Sequence, residues 1–308
     1  MKSEPMSTPA LHPITRVVVF MMTLLKVKQL FASKAGTQRY LRRHAKRSQR
    51  PLRLPNLKSR ISITEDYGFP VVTLSPRNHV PSGVVMMFHG GAYVRLPLAE
   101  HWHFADRLVQ RTGWQVILPI YPKAPKATVT EALGKVLPLV LSVLHHHHPV
   151  VFMGDSAGGG LALAVCELLA KDQAPLPAQL ILMSPWLDIA LRDPQSQALE
   201  AQDPILACEG LREIGRVWSG NLSPDDPRVS PLLGLSSALP PMTVITGTRE
   251  IFYPDALTLS QQATRLGIDV ELTVGEGLFH CYPLFNLPES QHVVRALEQL
   301  LQTIENRR

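Results

Sequence analysis

The stretch VVFMGDSAGGGLALAVCELL, residues 150–169, constrains this chain more than any other. Val150–Met153 is a short apolar run that predicts a buried strand, and Gly158–Leu169 is too apolar for a helix on a surface. The chain must therefore turn sharply from strand to helix, with Ser156 at the apex. A buried strand followed by a buried helix is typical of a parallel sheet that helices cover on both faces.

The residues around Ser156 fit the pattern G-x-S-x-G, in which a strained turn exposes a serine hydroxyl above the sheet. Gly154 and Gly158 leave room where strand and helix approach each other, and the helix N-terminus points free N–H groups towards charge that develops beside the hydroxyl. The pattern favours a nucleophilic serine. A simpler interpretation stays open here, in which the glycines close a tight turn and Ser156 caps the helix.

Strands and helices alternate through residues 61–308. The pattern predicts strands at 61–64, 71–75, 83–88, 115–120, 150–153, 180–183, 244–247 and 270–274, and helices at 99–110, 129–144, 158–169, 254–266 and 290–304. This alternation predicts an α/β fold with a mostly parallel sheet and a site at the carboxyl ends of the strands. Residues 193–236 interrupt it with many prolines and no clear strand, and we interpret this excursion as a partial lid.

A nucleophilic Ser156 requires a base and an acid, which should follow later strands in the order serine, acid, histidine. His280 follows the last predicted strand in a glycine-containing loop and is the candidate base. Glu250 follows the strand at 244–247 and is the preferred acid. Asp255 stays open as the alternative, although a negative charge in the first turn of a helix has a sufficient structural role.

Donors for an oxyanion should come from the loop after the strand at 83–88. His89-Gly90-Gly91 stands in that loop, and paired glycines let backbone N–H groups turn inwards without side chains in the way. We predict that the N–H groups of Gly90, Gly91 and Ala157 form an oxyanion hole.

Seven motifs occur in the order that one family has them. They are His89-Gly90-Gly91, Tyr121-Pro122-Lys123-Ala124-Pro125, Gly154-Asp155-Ser156-Ala157-Gly158-Gly159, Ser184-Pro185-Trp186-Leu187-Asp188, Val229-Ser230-Pro231-Leu232, Gly247-Thr248-Arg249-Glu250 and Phe279-His280. From about Ile61 to the C-terminus, the sequence resembles the hormone-sensitive-lipase-like branch of the α/β-hydrolases. These are bacterial carboxylesterases that include relatives of arylacetamide deacetylase.

The resemblance implies an α/β-hydrolase fold with a helical N-terminal cap. It implies a serine carboxylesterase that hydrolyses short- to medium-chain hydrophobic esters through an acyl-enzyme, with the triad Ser156, Glu250 and His280. Lactone hydrolysis and N- or O-deacetylation by the same triad are alternatives. A non-catalytic small-molecule-binding protein of the same fold is the alternative from another class.

The resemblance also implies residues that contact the substrate, namely Tyr93, Asp155 and Trp186. Two positions depart from the family pattern. Ala92 replaces a third glycine after His-Gly-Gly, and Glu250 stands where the family commonly has aspartate.

The first sixty residues differ from the rest of the chain in charge. They carry fourteen basic side chains and the single acid Glu4, whereas residues 61–308 carry seventeen basic and twenty-four acidic side chains. We predict an amphipathic helix over Ile14–Phe31, followed by a basic helix through Arg50. We interpret residues 1–60 as a cap on a catalytic domain of residues 61–308, with an anionic membrane surface as the second interpretation.

Other partners and cofactors are less favoured. The basic run lacks a nucleic-acid-binding motif, so nucleic acid is not an expected partner. The expected partner is the small-molecule ester that the proposed triad would hydrolyse, and a homodimer stays open. The proposed chemistry needs no cofactor or metal, and a metal at His145–His148 is disfavoured because adjacent histidines on a helix point in different directions. Three cysteines in 308 residues argue against a disulfide framework and favour a cytoplasmic protein, with or without contact at a membrane.

Overall fold

An eight-stranded sheet forms the centre of the computed structural model, which describes residues 11–47, 52–147 and 149–307. The strands are β1 (Arg60–Thr64), β2 (Val71–Ser75), β3 (Val84–Phe88), β4 (Gln115–Pro119), β5 (Val150–Asp155), β6 (Gln179–Met183), β7 (Met242–Gly247) and β8 (Val270–Gly275). Across the sheet, the described strands follow the order β1-β2-β4-β3-β5-β6-β7-β8. The six strands from β3 to β8 run parallel, and β1 and β2 are antiparallel at one edge. The predicted mostly parallel sheet is confirmed.

Helices cover both faces of this sheet. They are α1 (Pro13–Leu24), α2 (Lys34–Arg47), α3 (Ala99–Thr112), α4 (Val129–His146), α5 (Ala157–Lys171), α6 (Pro194–Leu199), α7 (Cys208–Ser219), α8 (Tyr253–Arg265) and α9 (Pro288–Asn306). Side chains alternate along β5, so that Val150 and Phe152 join one apolar cluster while Val151 and Met153 join another. Helices α4, α5 and α8 complete the first cluster, and α3 and α9 complete the second. This arrangement is the α/β fold that the sequence predicts.

The carboxyl ends of the parallel strands lie at one edge of the sheet. The register pairs Phe88 with Gly154, Asp155 with Met183, and Gly247 with Gly275. The loops that follow β3, β5, β7 and β8 therefore meet at this edge. These are the loops that carry the predicted oxyanion donors, serine, acid and histidine.

The excursion between β6 and β7 contains helices that the sequence analysis missed. Asp193 caps α6, whose first residue is Pro194, and a 3-10 helix follows at Pro231–Leu233. Helix α7 has buried residues at Leu211, Ile214 and Trp218, which is the spacing of one helical face. That spacing was a usable signal, and the neighbouring prolines obscured it. As predicted, no strand lies in the excursion, all of which is described.

In the described part of the N-terminal arm, α1 and α2 follow each other as the two predicted helices do, but the predicted extent of the first, Ile14–Phe31, is wrong. Helix α1 ends at Leu24, Lys26 adopts a left-handed φ of 53°, and a 3-10 helix at Val27–Leu30 precedes α2. A left-handed residue cannot continue an α-helix. Helix α2 runs to Arg47, and the predicted end at Arg50 lies outside the described residues.

The arm packs on the excursion, where α2 contacts α7. The N–H of Gly210 donates a 2.9 Å hydrogen bond to Phe31 O, and a Cβ at Gly210 would lie 2.5 Å from that oxygen and from Thr37 Oγ1. Only glycine allows this approach. Gln38 Nε2 adds a hydrogen bond of 2.9 Å to Glu213 Oε1.

Candidate active site

Ser156 stands at the junction of β5 and α5. Its φ of 52° and ψ of −123° form a strained conformation for a residue that carries a side chain. A Cβ at Gly154 would collide with the carbonyl group of Gly158, and a Cβ at Gly158 would collide with that of Phe88. Both glycines are therefore needed for the turn. The turn holds the serine at the N-terminus of α5, where the first N–H groups have no intrahelical acceptor.

Glu250 and His280 form a buried pair at the same edge of the sheet. His280 Nδ1 lies 2.5 Å from Glu250 Oε2, and the Glu250 side chain is fully buried. The other oxygen, Oε1, accepts hydrogen bonds from Gly247 N, Thr246 Oγ1 and Ser184 Oγ at 2.7–2.8 Å. Four donors thus hold one carboxylate in place. With Nδ1 donating to Glu250, Nε2 is left as the nitrogen that can accept a proton.

Asp255, the alternative acid, does not contact His280. It lies in the first turn of α8, and its Oδ2 has no hydrogen-bond partner among the described residues. Burial raises the pKa of Asp255 to about 7, and the negative charges of Asp188 and Asp193 act in the same direction. Of the two acids that the sequence left open, Glu250 is the one that contacts the histidine.

The environment of His280 favours its protonated form. Burial lowers the pKa of His280, but the hydrogen bond and charge of Glu250, together with the charges of Asp203 and Asp155, outweigh burial and raise that pKa above 6.5. Nε2 lies 3.4 Å from Cys281 Sγ. Within the described residues, no hydrogen bond joins Nε2 to Ser156 Oγ.

The loop after β3 has the strained backbone expected of an anion-binding turn. Gly91, Ala92 and Tyr93 have positive φ angles of 115°, 53° and 58°. Gly90 differs from the prediction, because its N–H donates a 2.9 Å hydrogen bond to Asp155 Oδ1. That N–H is therefore not available to an oxyanion, and Gly90 is removed from the predicted donors.

Three other N–H groups near Ser156 remain available. Gly91, Ala92 and Ala157 donate no backbone hydrogen bond to any acceptor in the part of the chain that the structure describes. Ala92 was noted in the sequence only as a departure from glycine. Its positive φ shows that alanine adopts the backbone conformation of this loop despite its methyl group.

Asp155 holds the framework behind the serine. Besides Gly90 N–H, its carboxylate contacts His101 Nε2 at 3.2 Å, and the residue is 2% exposed. His101 Nδ1 accepts a hydrogen bond from Leu98 N at 3.0 Å, so Nε2 carries the proton and donates it to Asp155. The predicted role of Asp155 in substrate contact conflicts with this geometry, because both carboxylate oxygens have protein partners.

Tyr93 and Trp186, the other two residues predicted to contact substrate, belong to a buried aromatic stack. The stacked pairs are Tyr93–Trp218 at 4.3 Å, Tyr93–Trp186 at 5.6 Å and Trp186–Phe252 at 5.7 Å between ring centroids. The edge of the stack reaches His280, whose ring lies 5.2 Å from that of Phe252. The wall beside the histidine is therefore apolar and closely packed.

Sequence reasoning missed Ser184 and Asp203. Ser184 Oγ donates to Glu250 and accepts a hydrogen bond from Cys281 N at 2.9 Å, so it connects the acid with the histidine loop. Asp203 Oδ2 accepts from Ile251 N at 3.0 Å and fixes the segment that follows Glu250. Ser184 lies within a recognised motif, whereas Asp203 lies among prolines where no local pattern marks it.

The described residues hold no cluster of three or more His, Cys, Asp or Glu side chains that could bind a metal. His145 and His146 are exposed in the last turn of α4, and each Nδ1 contacts the carbonyl group four residues earlier. His148 lies outside the described residues.

Cys166, Cys208 and Cys281 are buried free cysteines. Across the described ranges, every helix is too short or too polar to cross a membrane.

Residues 85–284 match the family described as alpha/beta hydrolase fold. A triacylglycerol lipase of Mycobacterium tuberculosis is 30% identical over 236 residues, which cover 73% of this chain and 48% of the lipase. An esterase of Acinetobacter venetianus is 29% identical over 228 residues, which cover 72% of this chain and 75% of the esterase. The chain thus spans about half the length of the lipase.

Solved structures share the fold over nearly the whole chain. A Staphylococcus aureus protein described as a candidate esterase gives a TM-score of 0.86 at 27% identity, covering 92% of this chain and 97% of that protein. An esterase from the bacterial hormone-sensitive lipase family gives 0.78 at 24% identity, covering 96% and 99%. The second similarity establishes the fold alone.

Proposed function

This chain belongs to the α/β-hydrolase-fold family, and we propose that it is a serine carboxylesterase of the hormone-sensitive-lipase-like branch. The observation that carries the proposal is the 2.5 Å contact between His280 and Glu250 at the sheet edge that also bears Ser156. The lipase and esterase that resemble this sequence support the same chemistry.

In the proposed first step, Ser156 Oγ attacks the carbonyl carbon of the ester while His280 Nε2 accepts the hydroxyl proton. Glu250 holds the imidazole in the tautomer that leaves Nε2 free and stabilises the imidazolium that forms. The tetrahedral intermediate collapses, the alcohol departs with the proton from Nε2, and an acyl-enzyme remains. Water then attacks the acyl carbon by the same route, releasing the carboxylic acid and restoring Ser156.

The oxyanion would lie among the N–H groups of Gly91, Ala92 and Ala157. These groups have no acceptor among the described residues. Gly91 and Ala92 lie in the loop of positive φ angles and Ala157 begins α5, so all three belong to an ordered backbone. Removing one donor from such a site costs about 3 kcal/mol of transition-state stabilisation. The loop conformation is therefore as important to the proposal as the triad.

His280 would shift slightly when substrate binds. Its Nε2 contacts Cys281 Sγ at 3.4 Å, a weak partner for an imidazole nitrogen. Exchanging this contact for a hydrogen bond to Ser156 Oγ costs little, and catalytic hydrogen bonds often tighten only in the substrate complex.

The proposed substrates are short- to medium-chain hydrophobic esters. Support comes from the aromatic stack that ends at Phe252 beside His280, since an apolar wall next to the reacting carbonyl favours apolar acyl or alcohol groups. Lactones and N- or O-acetyl groups meet the same triad and remain the alternative substrates.

The N-terminal arm is proposed as the cap of this site. Lys28 Nζ donates to the backbone carbonyl groups of Glu200 and Asp203, and the Asp203 carboxylate in turn holds the residue after Glu250. The arm is thereby linked to the acid of the triad through the excursion. This supports a division into cap residues 1–60, catalytic residues 61–308 and a lid at 193–236.

We propose a cytoplasmic protein that contacts a membrane through its basic arm. Strand β8 lies at the sheet edge with Leu272 and Val274 exposed, which supports a homodimer through that edge.

The experiment that tests the function is hydrolysis of p-nitrophenyl esters of increasing acyl length by the purified protein and by Ser156→Ala. We expect turnover on short and medium chains that disappears in the variant. The circular dichroism spectrum of the variant checks that it is folded. Turnover that survives in Ser156→Ala would exclude Ser156 as the nucleophile, and no turnover by the folded wild-type protein would favour the binding-protein alternative.

A further inference from the structure

Helix α1 of the arm presents a large apolar surface to solvent. Its exposed side chains are Ile14, Val17, Phe20, Met21 and Leu24, and Leu25 follows at the helix end; each is 41–68% exposed. At 100° per residue these positions cover an arc of about 140° on one side of the helix. Single exposed apolar residues are ordinary, but a continuous face of this size indicates an interaction surface.

The opposite side of α1 is fixed to the body. Thr15 and Val19 are buried, and Thr15 Oγ1 donates to Glu289 Oε2 at the start of α9. Val19 joins the apolar cluster that contains Phe279 and Tyr282 from the histidine loop. The buried side of α1 is therefore fixed to the body at the start of α9, and the apolar face is held in a defined orientation towards solvent.

The charges around α1 indicate which kind of surface its apolar face can bind. Residues 5–64 contain no Asp or Glu. The arm exposes Arg16 on α1, Lys26 just after α1, and four basic side chains on α2, namely Lys34, Arg39, Arg42 and Arg43. Residues 61–308 carry an excess of acidic side chains. An anionic surface would attract the arm and repel the body, which orients the molecule with the arm towards that surface.

We propose that the exposed face of α1 is a docking surface for anionic phospholipid membranes. An apolar face beside exposed cations is the combination that an interfacial helix uses, with apolar side chains among the acyl chains and cations at the lipid headgroups. The twelve residues of α1 are about 18 Å long, too short to cross a hydrocarbon core of about 30 Å. The helix therefore lies in the plane of the membrane surface.

Docking through α1 rests on the membrane contact proposed above for the basic arm and names the helix face that makes it. It does not depend on the proposed hydrolysis of esters. Docking through α1 would hold the whole body, including the proposed active site, at the membrane surface. Apolar esters dissolved in a bilayer would then be concentrated near the protein without any change to the triad.

The test is co-sedimentation of the full-length protein with phosphatidylcholine vesicles that contain or lack phosphatidylglycerol. The key variant is Phe20→Gln/Leu24→Gln, because glutamine keeps the helix propensity while removing apolar surface. Val80→Gln is the matched control, since Val80 is 85% exposed in the loop before β3, far along the chain from the arm. Hydrolysis of water-soluble p-nitrophenyl acetate is measured in parallel.

We expect binding to the anionic vesicles only, weakened about tenfold or more in the α1 variant and unchanged in Val80→Gln. Turnover of p-nitrophenyl acetate should be the same in all three proteins, and its absence in all three would count against the esterase and not against docking. Equal binding to vesicles without phosphatidylglycerol, or unchanged binding by the α1 variant, would overturn the proposal. A solution dimer that the α1 variant converts to monomer would also overturn it, because the face would then belong to a second copy.

Discussion

The N–H of Gly90 donates a 2.9 Å hydrogen bond to Asp155 Oδ1, so the residue before the proposed nucleophile holds the loop that carries the proposed oxyanion donors. The two residues are 65 positions apart in the chain, at the ends of adjacent parallel strands. Through Asp155, the strained turn at Ser156 and the strained loop after β3 become parts of one rigid unit. The proposed nucleophile and the proposed anion site are therefore positioned together.

Asp155→Ala should lower kcat by at least about tenfold with little change in KM, because the loop would lose its tether while the triad stays intact. It should also reduce the free energy of unfolding by about 2 kcal/mol, since His101 Nε2–H loses its buried acceptor. Steady-state kinetics and urea unfolding measure the two effects. Leu96→Gln is the control, because Leu96 is an exposed apolar side chain that follows the same loop. Its kcat and its free energy of unfolding should stay near those of the wild type. Wild-type kinetics in Asp155→Ala would contradict the tether.

Glu250→Gln should lower kcat by about a thousandfold or more, because the neutral amide no longer stabilises the imidazolium of His280. Asp255→Asn is the matched control, and we expect less than about a threefold change, since Asp255 does not contact the histidine. A reversed pattern, with the larger loss in Asp255→Asn, would show that the other acid completes the triad.

We expect kcat/KM to rise with pH along a limb whose midpoint lies above pH 6.5, because the pKa of His280 is raised and its neutral form is the base. Protonation of His280 also stabilises the folded state. This stabilisation is fully present below about pH 6.5, the usual pKa of histidine, and is lost as pH rises through the raised pKa of His280 in the folded protein. Glu250→Gln should move the limb to lower pH, because the hydrogen bond to a charged partner is gone. A limb that stays in place would show that Glu250 does not set this pKa.

Glu167, near the C-terminus of α5, should make the protein less stable as pH rises. Neither carboxylate oxygen has a hydrogen-bond partner among the described residues, and burial raises the pKa of Glu167 to about 9. Since the folded chain then holds a proton that the unfolded chain releases near pH 4.5, stability should fall by about 1 kcal/mol per pH unit between these values. Urea unfolding near pH 6 and near pH 8 measures the difference. Asp255 and His280, whose pKa values are also raised, contribute to the same fall. Glu167→Gln should therefore make the slope shallower by about 1 kcal/mol per pH unit, whereas Glu65→Gln, at an exposed carboxylate, should leave it unchanged. Equal slopes in all three proteins would exclude this role for Glu167.

Gly210→Ala should loosen the arm, because the added methyl group would collide with Phe31 O and Thr37 Oγ1. We expect faster proteolysis within residues 11–47, with the catalytic body left intact. Gly134→Ala in α4 is the matched control, since nothing lies within 4 Å of its added Cβ and alanine favours a helix by about 1 kcal/mol. Unchanged proteolysis in Gly210→Ala would show that the arm does not depend on this contact.

Much of the architecture could be predicted from local patterns. Apolar runs of strand length and longer amphipathic segments indicated the sheet and its covering helices, because the periods of 2 and 3.6 residues reflect which side chains are buried. The pattern failed at α6, which begins at Pro194, and at α7, which Pro204 separates from α6. It also failed at Lys26, whose left-handed conformation divides the arm.

The sequence by itself determined the order of the candidate residues, with Ser156 in a glycine turn, an acid after β7 and His280 after β8. Only the tertiary structure paired His280 with Glu250 instead of Asp255, directed Gly90 N–H to Asp155 and set one face of α1 against the body while leaving the other exposed. The physical reason is that local periodicity encodes which residues are buried within an element. The hydrogen-bond partner of a buried group depends instead on which distant segments pack around it.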